Sequence, residues 1–430
     1  MKTISVALFA CIVAGASVQP GAAADAAKFK EKVLHSFCSN QNCTDGAFPR
    51  DALIDVNGTL YGTTSLGGIY NGGAGTVFAI DPKTGKEKVL YSFCRQQQGF
   101  YCLDGAVPDG GLIDVNGTLY GTTGQGGDEG CDARGCGTVF AIDPNTGAET
   151  VLHNFGGGTD GNMPESSLLN VNGVLYGTTF DGGTGCGNGG CGTAFSLDLG
   201  TGAETVLHSF GGGTDGSEPV AGLVDVQGKL YGTARAGGTY GAGAIFSIDL
   251  KSGTEKVLYS FCAQFGCPDG GGPETTLIDV NGILYGTTDA GANNANCTND
   301  NNPAGCGTVF AFDPKTGVET VVYSFCADQY CTDGQYPEGN LIDIKGMLYG
   351  TTYAGGQPAG CNNATPGCGT VFSLDPDTGA EKVLYSFGTG TGQDGLQPIS
   401  GLLAVKGTFY GMTLFGGGSN DGVMFELNKR

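Results

Sequence analysis

Tryptophan is absent from the 430-residue chain, and histidine occurs only three times. The lack of indole rings disfavours a lectin that stacks sugars on tryptophan. His35, His153 and His208 all occupy one repeated strand position that elsewhere holds tyrosine. We therefore predict structural roles for them, and no histidine general base or histidine metal site. Nucleophile-elbow, zincin and P-loop motifs are missing as well, so the sequence shows no familiar catalytic signature.

Basic residues are few, with 20 Lys and Arg against 42 Asp and Glu, and the formal net charge is −22. Such a surface repels phosphate backbones and anionic headgroups, so we predict neither a nucleic-acid partner nor insertion into a membrane. The five arginines do not suggest a sialidase-like cluster. They are Arg50, Arg95, Arg134, Arg235 and Arg430.

Long apolar runs are missing except at the start of the chain. Lys2 is followed by "ISVALFACIVAGASV" (4–18) and then by "AAA" (22–24). A charged start, a short apolar run and small residues before a cleavage point indicate a secretory signal peptide, and the run is too short to favour a membrane span. We predict a signal peptide at 1–24 and a secreted mature chain, extracellular or periplasmic.

Cysteine is plentiful, and it falls into close neighbours along the chain. Loss of Cys11 with the signal peptide leaves 16 of the 17 cysteines. Zinc sites usually use knuckles with two to four intervening residues, whereas these spacings vary from four to eight. Local pairs on a secreted chain favour disulfides. The predicted bonds are Cys38–Cys43, Cys94–Cys102, Cys131–Cys136, Cys186–Cys191, Cys262–Cys267, Cys297–Cys306, Cys326–Cys331 and Cys361–Cys368.

Glycine is the commonest residue, at 82 positions, and much of it belongs to an internal repeat. Four segments recur seven times in fixed order: A ("LIDVNG"), B ("LYGTT"), C ("GTVFAID") and D ("VLYSF"). Each is short and rich in β-branched and aromatic residues, which predicts a strand. "VNG" calls for a two-residue type I′ hairpin and "DPKTG" for a tight turn, so the four strands form an antiparallel meander.

Strand C is apolar at nearly every position, which indicates burial of both sheet faces. Seven such sheets, each covered by its neighbours, predict an all-β fold, a seven-bladed β-propeller of four-stranded antiparallel blades. Blade 7 lacks strand D at its end, whereas a spare strand D opens the mature chain. We predict that this N-terminal strand pairs with the last blade and closes the ring. The single domain, 25–430, has blades 1–6 at 53–93, 112–155, 168–210, 223–261, 277–325 and 341–387, with blade 7 at 402–427 plus 30–37.

The pattern resembles kelch-type repeats, because a double glycine follows strand B in most blades, as at 67–68, and an Asp-Pro turn joins strands C and D. The kelch tryptophan is missing. The repeat is more similar to the GloVer-type tandem repeat of secreted bacterial choice-of-anchor proteins, whose consensus reads much like "LIDVNGTLYGTTxxGGxxxxGTVFAIDPxTGxExVLYSF". That resemblance covers nearly all of 30–428. It implies a propeller-like extracellular array and no known reaction.

Function is expected on the face that carries the B–C and D–A loops, because every cysteine pair falls in those loops. Pinned loops lose little entropy when a ligand binds. We predict a monomeric binding module for an extracellular ligand, a glycan or a protein. The alternatives are a polysaccharide hydrolase or lyase that uses carboxylates or tyrosine at the channel mouth, and a structural matrix protein. The enzyme hypothesis predicts one blade-specific cluster of acids and tyrosine that converges at the axis.

One strand-A position holds a polar residue in six blades and is the candidate channel ring. If these side chains faced the channel, they would attract a cation; otherwise each stabilises its own hairpin. The acid of each D-G-x-x-P loop segment is expected to cap backbone N–H groups, and the alternative is that these acids bind Ca²⁺. No other cofactor is expected. The candidate ring is Asp55, Asp114, Asn170, Asp225, Asp279 and Asp343. Further blade-specific acids are Asp128, Glu129, Glu165, Glu218, Glu274 and Glu338.

Overall fold

The computed structural model describes residues 29–429, apart from 71, 100, 128–130, 132–133, 188, 293–296, 298–304, 358–366 and 389–392. The predicted signal peptide at 1–24 lies outside the described residues. Within the described part of the chain, no helix is both long and apolar enough to cross a bilayer.

Seven four-stranded antiparallel sheets form the blades of a propeller, each with its strands in the order A, B, C, D from the inner to the outer edge. Strands A are Ile54–Val56, Ile113–Val115, Leu169–Val171, Val224–Val226, Ile278–Val280, Ile342–Ile344 and Leu403–Val405. Strands B are Thr59–Thr64, Thr118–Thr123, Val174–Thr179, Lys229–Ala234, Ile283–Thr288, Met347–Thr352 and Thr408–Thr413.

The two outer strands of each blade are longer than strand A. Strands C are Thr76–Asp81, Thr138–Ile142, Thr193–Asp198, Ala244–Asp249, Thr308–Asp313, Thr370–Asp375 and Val423–Lys429. Strands D of blades 1–6 are Lys86–Ser92, Glu149–Asn154, Glu204–Ser209, Glu255–Ser260, Val318–Ser324 and Ala380–Ser386. The loops add two small ribbons, Gln97–Gln98 with Tyr101–Cys102 and Gly395–Leu396 with Phe415–Gly416, and a 3₁₀ turn, Gln41–Cys43.

The ring closes as the sequence predicts. The N-terminal strand, Phe29–Ser36, is strand D of blade 7 and pairs antiparallel with strand C, Val423–Lys429. This pairing satisfies two strand edges that would otherwise be open. The first described residues are therefore part of the last blade.

The tight turns follow from local sequence chemistry. Val56 pairs directly with Thr59, and the two residues between them, Asn57 and Gly58, have φ values of 55° and 85°. These are the positive values that a type I′ hairpin requires. The A–B and C–D turns lie on one face of the disc, the turn face, and the B–C and D–A loops lie on the other, the loop face.

The hydrophobic core lies between blades. The phenylalanine that follows each strand D packs edge-on against a phenylalanine in strand C of the next blade, with ring centroids 4.9–5.1 Å apart. A Cβ on Gly62 of strand B would lie 2.7 Å from Phe78 Cζ, so only glycine leaves room for this ring. The pairs are Phe37–Phe78, Phe93–Phe140, Phe155–Phe195, Phe210–Phe246, Phe261–Phe310, Phe325–Phe372 and Phe387–Phe425.

Candidate functional site: an acidic pocket on the axis

The predicted channel-ring residues lie at the A–B hairpins. Gly58 N donates to Asp55 Oδ1 at 2.7 Å, and the equivalent bonds form at Asp114, Asn170, Asp225, Asp279 and Asp343, at distances of 2.6–3.1 Å. This is the hairpin-stabilising alternative weighed from the sequence. Ligand binding by these residues stays a prediction.

A different set of residues converges where the D–A loops enter strand A. There a cavity of about 200 Å³ opens on the propeller axis at the loop face. Blades 1, 2, 3, 5 and 6 contribute charged or polar lining residues, whereas blades 4 and 7 contribute only aliphatic residues and glycine. The lining residues are Arg50, Asp51, Asp109, Glu165, Ser166, Ser167, Val220, Ala221, Gly222, Glu274, Thr276, Glu338, Asn340, Ile399 and Gly401.

A buried proline fixes each loop end at this pocket. The proline of D-G-x-x-P packs on the glycine that precedes strand C of the previous blade, as Pro219 does on Gly192. A Cβ on Gly192 would lie 2.5 Å from Pro219 Cδ, so the contact requires glycine, whose φ of +94° also favours it. The residue after the proline is thereby held at the mouth of the axial pocket.

That post-proline position differs from blade to blade. Going round the ring it is Arg50, Asp109, Glu165, Val220, Glu274, Glu338 and Ile399. Three of its four acids belong to the blade-specific set noted in the sequence, but the sequence could not show that they meet. A variable residue directly after an otherwise repeated proline was the available signal.

The pocket carboxyls hold protons more tightly than ordinary carboxyls. Burial raises the pKa of Asp109 to about 6, of Glu165 to about 7 and of Glu338 to about 8. Neighbouring carboxylates add to the effect, Asp109 acting on Glu165 and Glu274 on Glu338. Several pocket acids therefore exchange protons near neutral pH.

Two arginines offset part of the negative charge. Arg50 Nε lies 3.4 Å from Asp109 Oδ1, and Arg235 Nε lies 2.5 Å from Glu274 Oε1. Arg235 comes from the loop after strand B, as does Asp289, a further acid beside Glu274 whose pKa burial raises to about 7. The acids outnumber the arginines, so the pocket keeps an excess of carboxyl groups.

Hydrogen bonds between blades hold the wall of the pocket in place. Asp51 Oδ2 of blade 1 accepts from Ser167 Oγ of blade 3 at 2.7 Å and from Gly111 N of blade 2. On the other side, Thr276 N donates to Asn340 Oδ1 at 2.8 Å. The polar groups are thus positioned before any ligand arrives, which lowers the cost of binding.

A second repeated feature joins the blades further from the axis. Strand D carries a β-bulge. In blade 1 its pairing with strand C shifts between Val77 and Phe78, and the bulge redirects the tyrosine or histidine that follows it in strand D. This side chain meets the acid of D-G-x-x-P and the glutamate of the next strand D. The seven junction sets are His35, Asp45, Glu87; Tyr91, Asp104, Glu149; His153, Asp160, Glu204; His208, Asp215, Glu255; Tyr259, Asp269, Glu319; Tyr323, Asp333, Glu381; and Tyr385, Asp394, Glu31.

At the junctions, the D-G-x-x-P acid also caps its own loop, as the sequence predicts. Asp45 accepts from Ser39 N and Asn40 N at 3.0 and 3.2 Å, and Asp104 from Arg95 N and Gln96 N at 2.9 and 3.1 Å. These acids hold the loops in shape.

Seven of the eight predicted disulfides are formed between the cysteines named from the sequence. Cys368 is disulfide-bonded as well, and its predicted partner Cys361 lies outside the described residues. Asp128 and Glu129 also lie outside them. On the loop face, Tyr240, Phe265 and Tyr330 expose more than half of their surface.

The fold has known counterparts at low sequence identity. An oligogalacturonate lyase in complex with manganese is 10% identical, with a TM-score of 0.50 over 94% of this chain and 97% of that chain. An oligogalacturonate lyase from Vibrio parahaemolyticus is 8% identical, with a TM-score of 0.50 over 93% and 97% of the two chains. The extracellular domain of a hybrid two component system from B. thetaiotaomicron is 12% identical, with a TM-score of 0.56 over 93% of this chain and 42% of that one.

These likenesses show the fold alone. No curated protein matches the chain. The sequence itself matches the model of the Gloeobacter/Verrucomicrobia repeat three times, over residues 22–189, 100–299 and 184–425. The kelch and choice-of-anchor resemblances stay predictions. By its repeat, the chain belongs to the Gloeobacter/Verrucomicrobia repeat family.

Proposed function

We propose that this protein is a secreted binding propeller that holds a small saccharide unit, neutral or amine-bearing, in the axial pocket of its loop face. The observation that carries the proposal is the convergence of blade-specific polar side chains on one preorganised cavity. The pocket presents acceptors in its carboxylates and donors in Arg50, Arg235 and the Thr276 hydroxyl. Sugar hydroxyls donate and accept, so they can use both kinds of group.

The size of the cavity limits what it can hold. Its volume of about 200 Å³ lies below the roughly 300 Å³ at which pockets for drug-sized molecules begin. A single unit or the end of a longer chain therefore fits better than a long segment. Exposed aromatic rings on the surrounding loops, such as Tyr240 and Tyr330, offer further stacking surface to the rest of a glycan.

The charge of the pocket argues against an anionic ligand. Asp51, Asp109, Glu165, Glu274 and Glu338 outnumber the two arginines near them. The lyases that share the fold act on oligogalacturonate, a chain of acidic sugars. Such a ligand would meet like charge in this pocket, whereas an amine-bearing sugar would meet opposite charge.

Secretion rests on the predicted signal peptide at 1–24 and on the disulfides, which persist in oxidising compartments. We expect the mature chain to begin at Asp25. N-terminal sequencing of protein recovered from the culture medium or periplasm tests this, and an intact Met1 on the exported protein would contradict it.

The binding proposal is tested by a glycan array followed by calorimetry on the best ligand. Measured above pH 8, beyond the raised pKa of Glu338, Glu338→Gln and Glu274→Gln should each weaken binding at least tenfold, because each replaces a pocket carboxylate with a neutral amide of the same size. Asp343→Asn is the matched control, since this carboxylate lies at a turn-face hairpin, and it should leave affinity unchanged. Equal loss in the control, or no loss in the pocket variants, would place the ligand elsewhere.

A polysaccharide hydrolase or lyase is the second candidate, and one observation favours it. Burial gives Asp109, Glu165 and Glu338 pKa values between about 6 and 8, the range of useful general acids and bases. The blade-specific acids that this hypothesis predicts line the axial pocket, whereas the tyrosine that it also predicts is not among the described lining residues. A binding pocket uses the same carboxyl groups. Incubation of bound glycans with the protein, with product release lost in Glu338→Gln, would identify an enzyme. A purely structural role requires no such pocket.

A further inference from the structure

Three of the seven blade junctions have a histidine where the other four have a tyrosine hydroxyl beside two carboxyls. Two of these three, the junctions after blades 2 and 3, bring three possible metal ligands together. One consists of His153, Asp160 and Glu204, and the other of His208, Asp215 and Glu255. A histidine nitrogen and two carboxylate oxygens are donors that divalent transition metals bind.

The donor atoms are spaced as a metal requires. In each set one atom of each residue lies within 4.8 Å of the other two. His153 Nε2 is 3.3 Å from Asp160 Oδ1, and His208 Nε2 is 3.2 Å from Asp215 Oδ2. Two ligands of a tetrahedral zinc ion, each about 2.0–2.1 Å from the metal, lie about 3.3 Å apart.

The glutamates leave bonding capacity unused at both sets. Glu204 Oε1 and Glu255 Oε1 are buried and have no hydrogen-bond partner among the described residues, as is also true of the equivalent oxygens of Glu87, Glu149, Glu319 and Glu381. What distinguishes the two sets is the histidine nitrogen beside this oxygen. A buried carboxylate oxygen without a partner is costly, and a cation would satisfy it.

At the tyrosine junctions a hydroxyl lies between the two carboxyls. Tyr91 OH lies 2.6 Å from Asp104 Oδ2, to which it donates, and 3.3 Å from Glu149 Oε2. In the two histidine sets no hydroxyl fills this position. A metal ion there would do what the hydroxyl does elsewhere.

The third histidine junction is closed. The Asp45 side chain is 1% exposed and accepts from Ser39 N, Ser39 Oγ and Asn40 N, whereas the Asp160 and Asp215 side chains are each 26% exposed. An ion can therefore reach the His153 and His208 sets from solvent. Among the described residues, the His35 set does not meet the same donor spacing, so it serves as an internal control.

The loops at the two sets also lack cysteine. Residues 155–161 read "FGGGTDG" and 210–216 read the same, whereas the loop of the His35 junction contains the Cys38–Cys43 disulfide. We propose that His153, Asp160 and Glu204, and likewise His208, Asp215 and Glu255, each bind one divalent metal ion of the zinc class, which fastens the glycine-rich loop to the next blade. This adds a binding role to two histidines that the sequence interpretation treated as structural.

Metal binding at these sets competes with protons, because the metal binds a deprotonated carboxylate and a neutral imidazole. Affinity should therefore rise with pH, with proton release.

The test is a titration of the full mature chain with Zn²⁺ at pH 7.5, and with Co²⁺ for its visible spectrum. We expect two sites. His153→Tyr and His208→Tyr, which copy the tyrosine junctions, should each remove one site, and the double variant both; His35→Tyr should remove none. If a tyrosine variant fails to fold, Glu204→Gln and Glu255→Gln take its place and should weaken their sites at least tenfold.

Unchanged stoichiometry in the double variant, or no saturable binding by the wild type below roughly 100 µM Zn²⁺, would overturn the proposal. The outcome is independent of the axial pocket. Glu338→Gln should leave both junction sites intact, so failure here and failure of the saccharide proposal are distinguishable.

Discussion

The turn face and the loop face are made from the same seven repeats, yet they differ in how far the repeats agree. At the turn face, the strand-A polar residue makes the same hairpin bond in six blades, as Asp55 does with Gly58. At the loop face, the residue after the proline is acidic in four blades, arginine in one and aliphatic in two. Positions that repeat build the frame, and positions that differ build the pocket.

Breaking the frame at its closure should have the largest effect. Deletion of residues 29–37 removes strand D of blade 7 and exposes the edge of strand C. We expect loss of cooperative thermal unfolding, because both closing blades lose a neighbour. Lys32→Ala is the control. It removes a 3.1 Å ion pair between the exposed Lys32 side chain and Glu426, and this pair is worth at most about 1 kcal/mol. A truncated chain that melts like the parent would mean that the ring does not depend on this strand.

Breaking one interface between blades should cost less. Phe93 is fully buried against Phe140, and Phe93→Ala should lower the free energy of unfolding by about 3–5 kcal/mol. Phe265→Ala, at an exposed loop position, should change it by less than about 0.5 kcal/mol. Urea denaturation measures both. Similar losses of unfolding free energy in the two variants would mean that the phenylalanine pairs between blades contribute little to the stability of the core.

The junction glutamates should make stability depend on pH. Burial, together with the facing Asp333, raises the pKa of Glu381 to about 8, so the folded chain binds more protons than the unfolded chain between pH 5 and 8. The free energy of unfolding should therefore fall as pH rises through this window. Glu381→Gln removes one such group and should flatten the curve, whereas Glu426→Gln should not. If the free energy of unfolding of Glu381→Gln fell with pH as steeply as that of the wild type, the raised pKa of Glu381 would be contradicted.

The smallest effect is expected within the turn face itself. Lys345 occupies the left-handed turn position that Asn57 holds in blade 1, with φ of 58° against 55°. Asparagine tolerates this conformation better than lysine. Lys345→Asn should stabilise the protein by about 0.5–1 kcal/mol, measured by thermal melting, and Asn57→Lys should do the reverse. If Lys345→Asn lowered the stability and Asn57→Lys raised it, the preference for asparagine at this turn position would be contradicted.

Much of the fold follows from short-range chemistry. Asn57 and Gly58 fix a hairpin, the "KEKVLHSF" segment at 30–37 identifies the missing strand, and neighbouring cysteines find each other across short loops. The pocket was harder to predict. The repeat pattern marks Glu165, Glu274 and Glu338 as blade-specific acids. It does not mark Asp51, because its partner Ser167 lies two blades away.

The junctions show the same limit. His153 could be placed inside a strand from its repeat position, but its neighbours Asp160 and Glu204 come from a loop and from the next blade. A bulge in strand D turns the side chain toward them. Sequence spacing alone does not reveal where a bulged side chain points.

The sequence by itself determined the strands, their turns, the number of blades and the closure of the ring, because each depends on contacts within one repeat or between two identical edges. Only the tertiary structure decided which acids meet. Closing seven wedges into a disc brings residues from distant repeats to one axis, and burial there raises the pKa values of Asp109, Glu165 and Glu338. Local rules act over a few residues, whereas convergence depends on how every blade packs on the next.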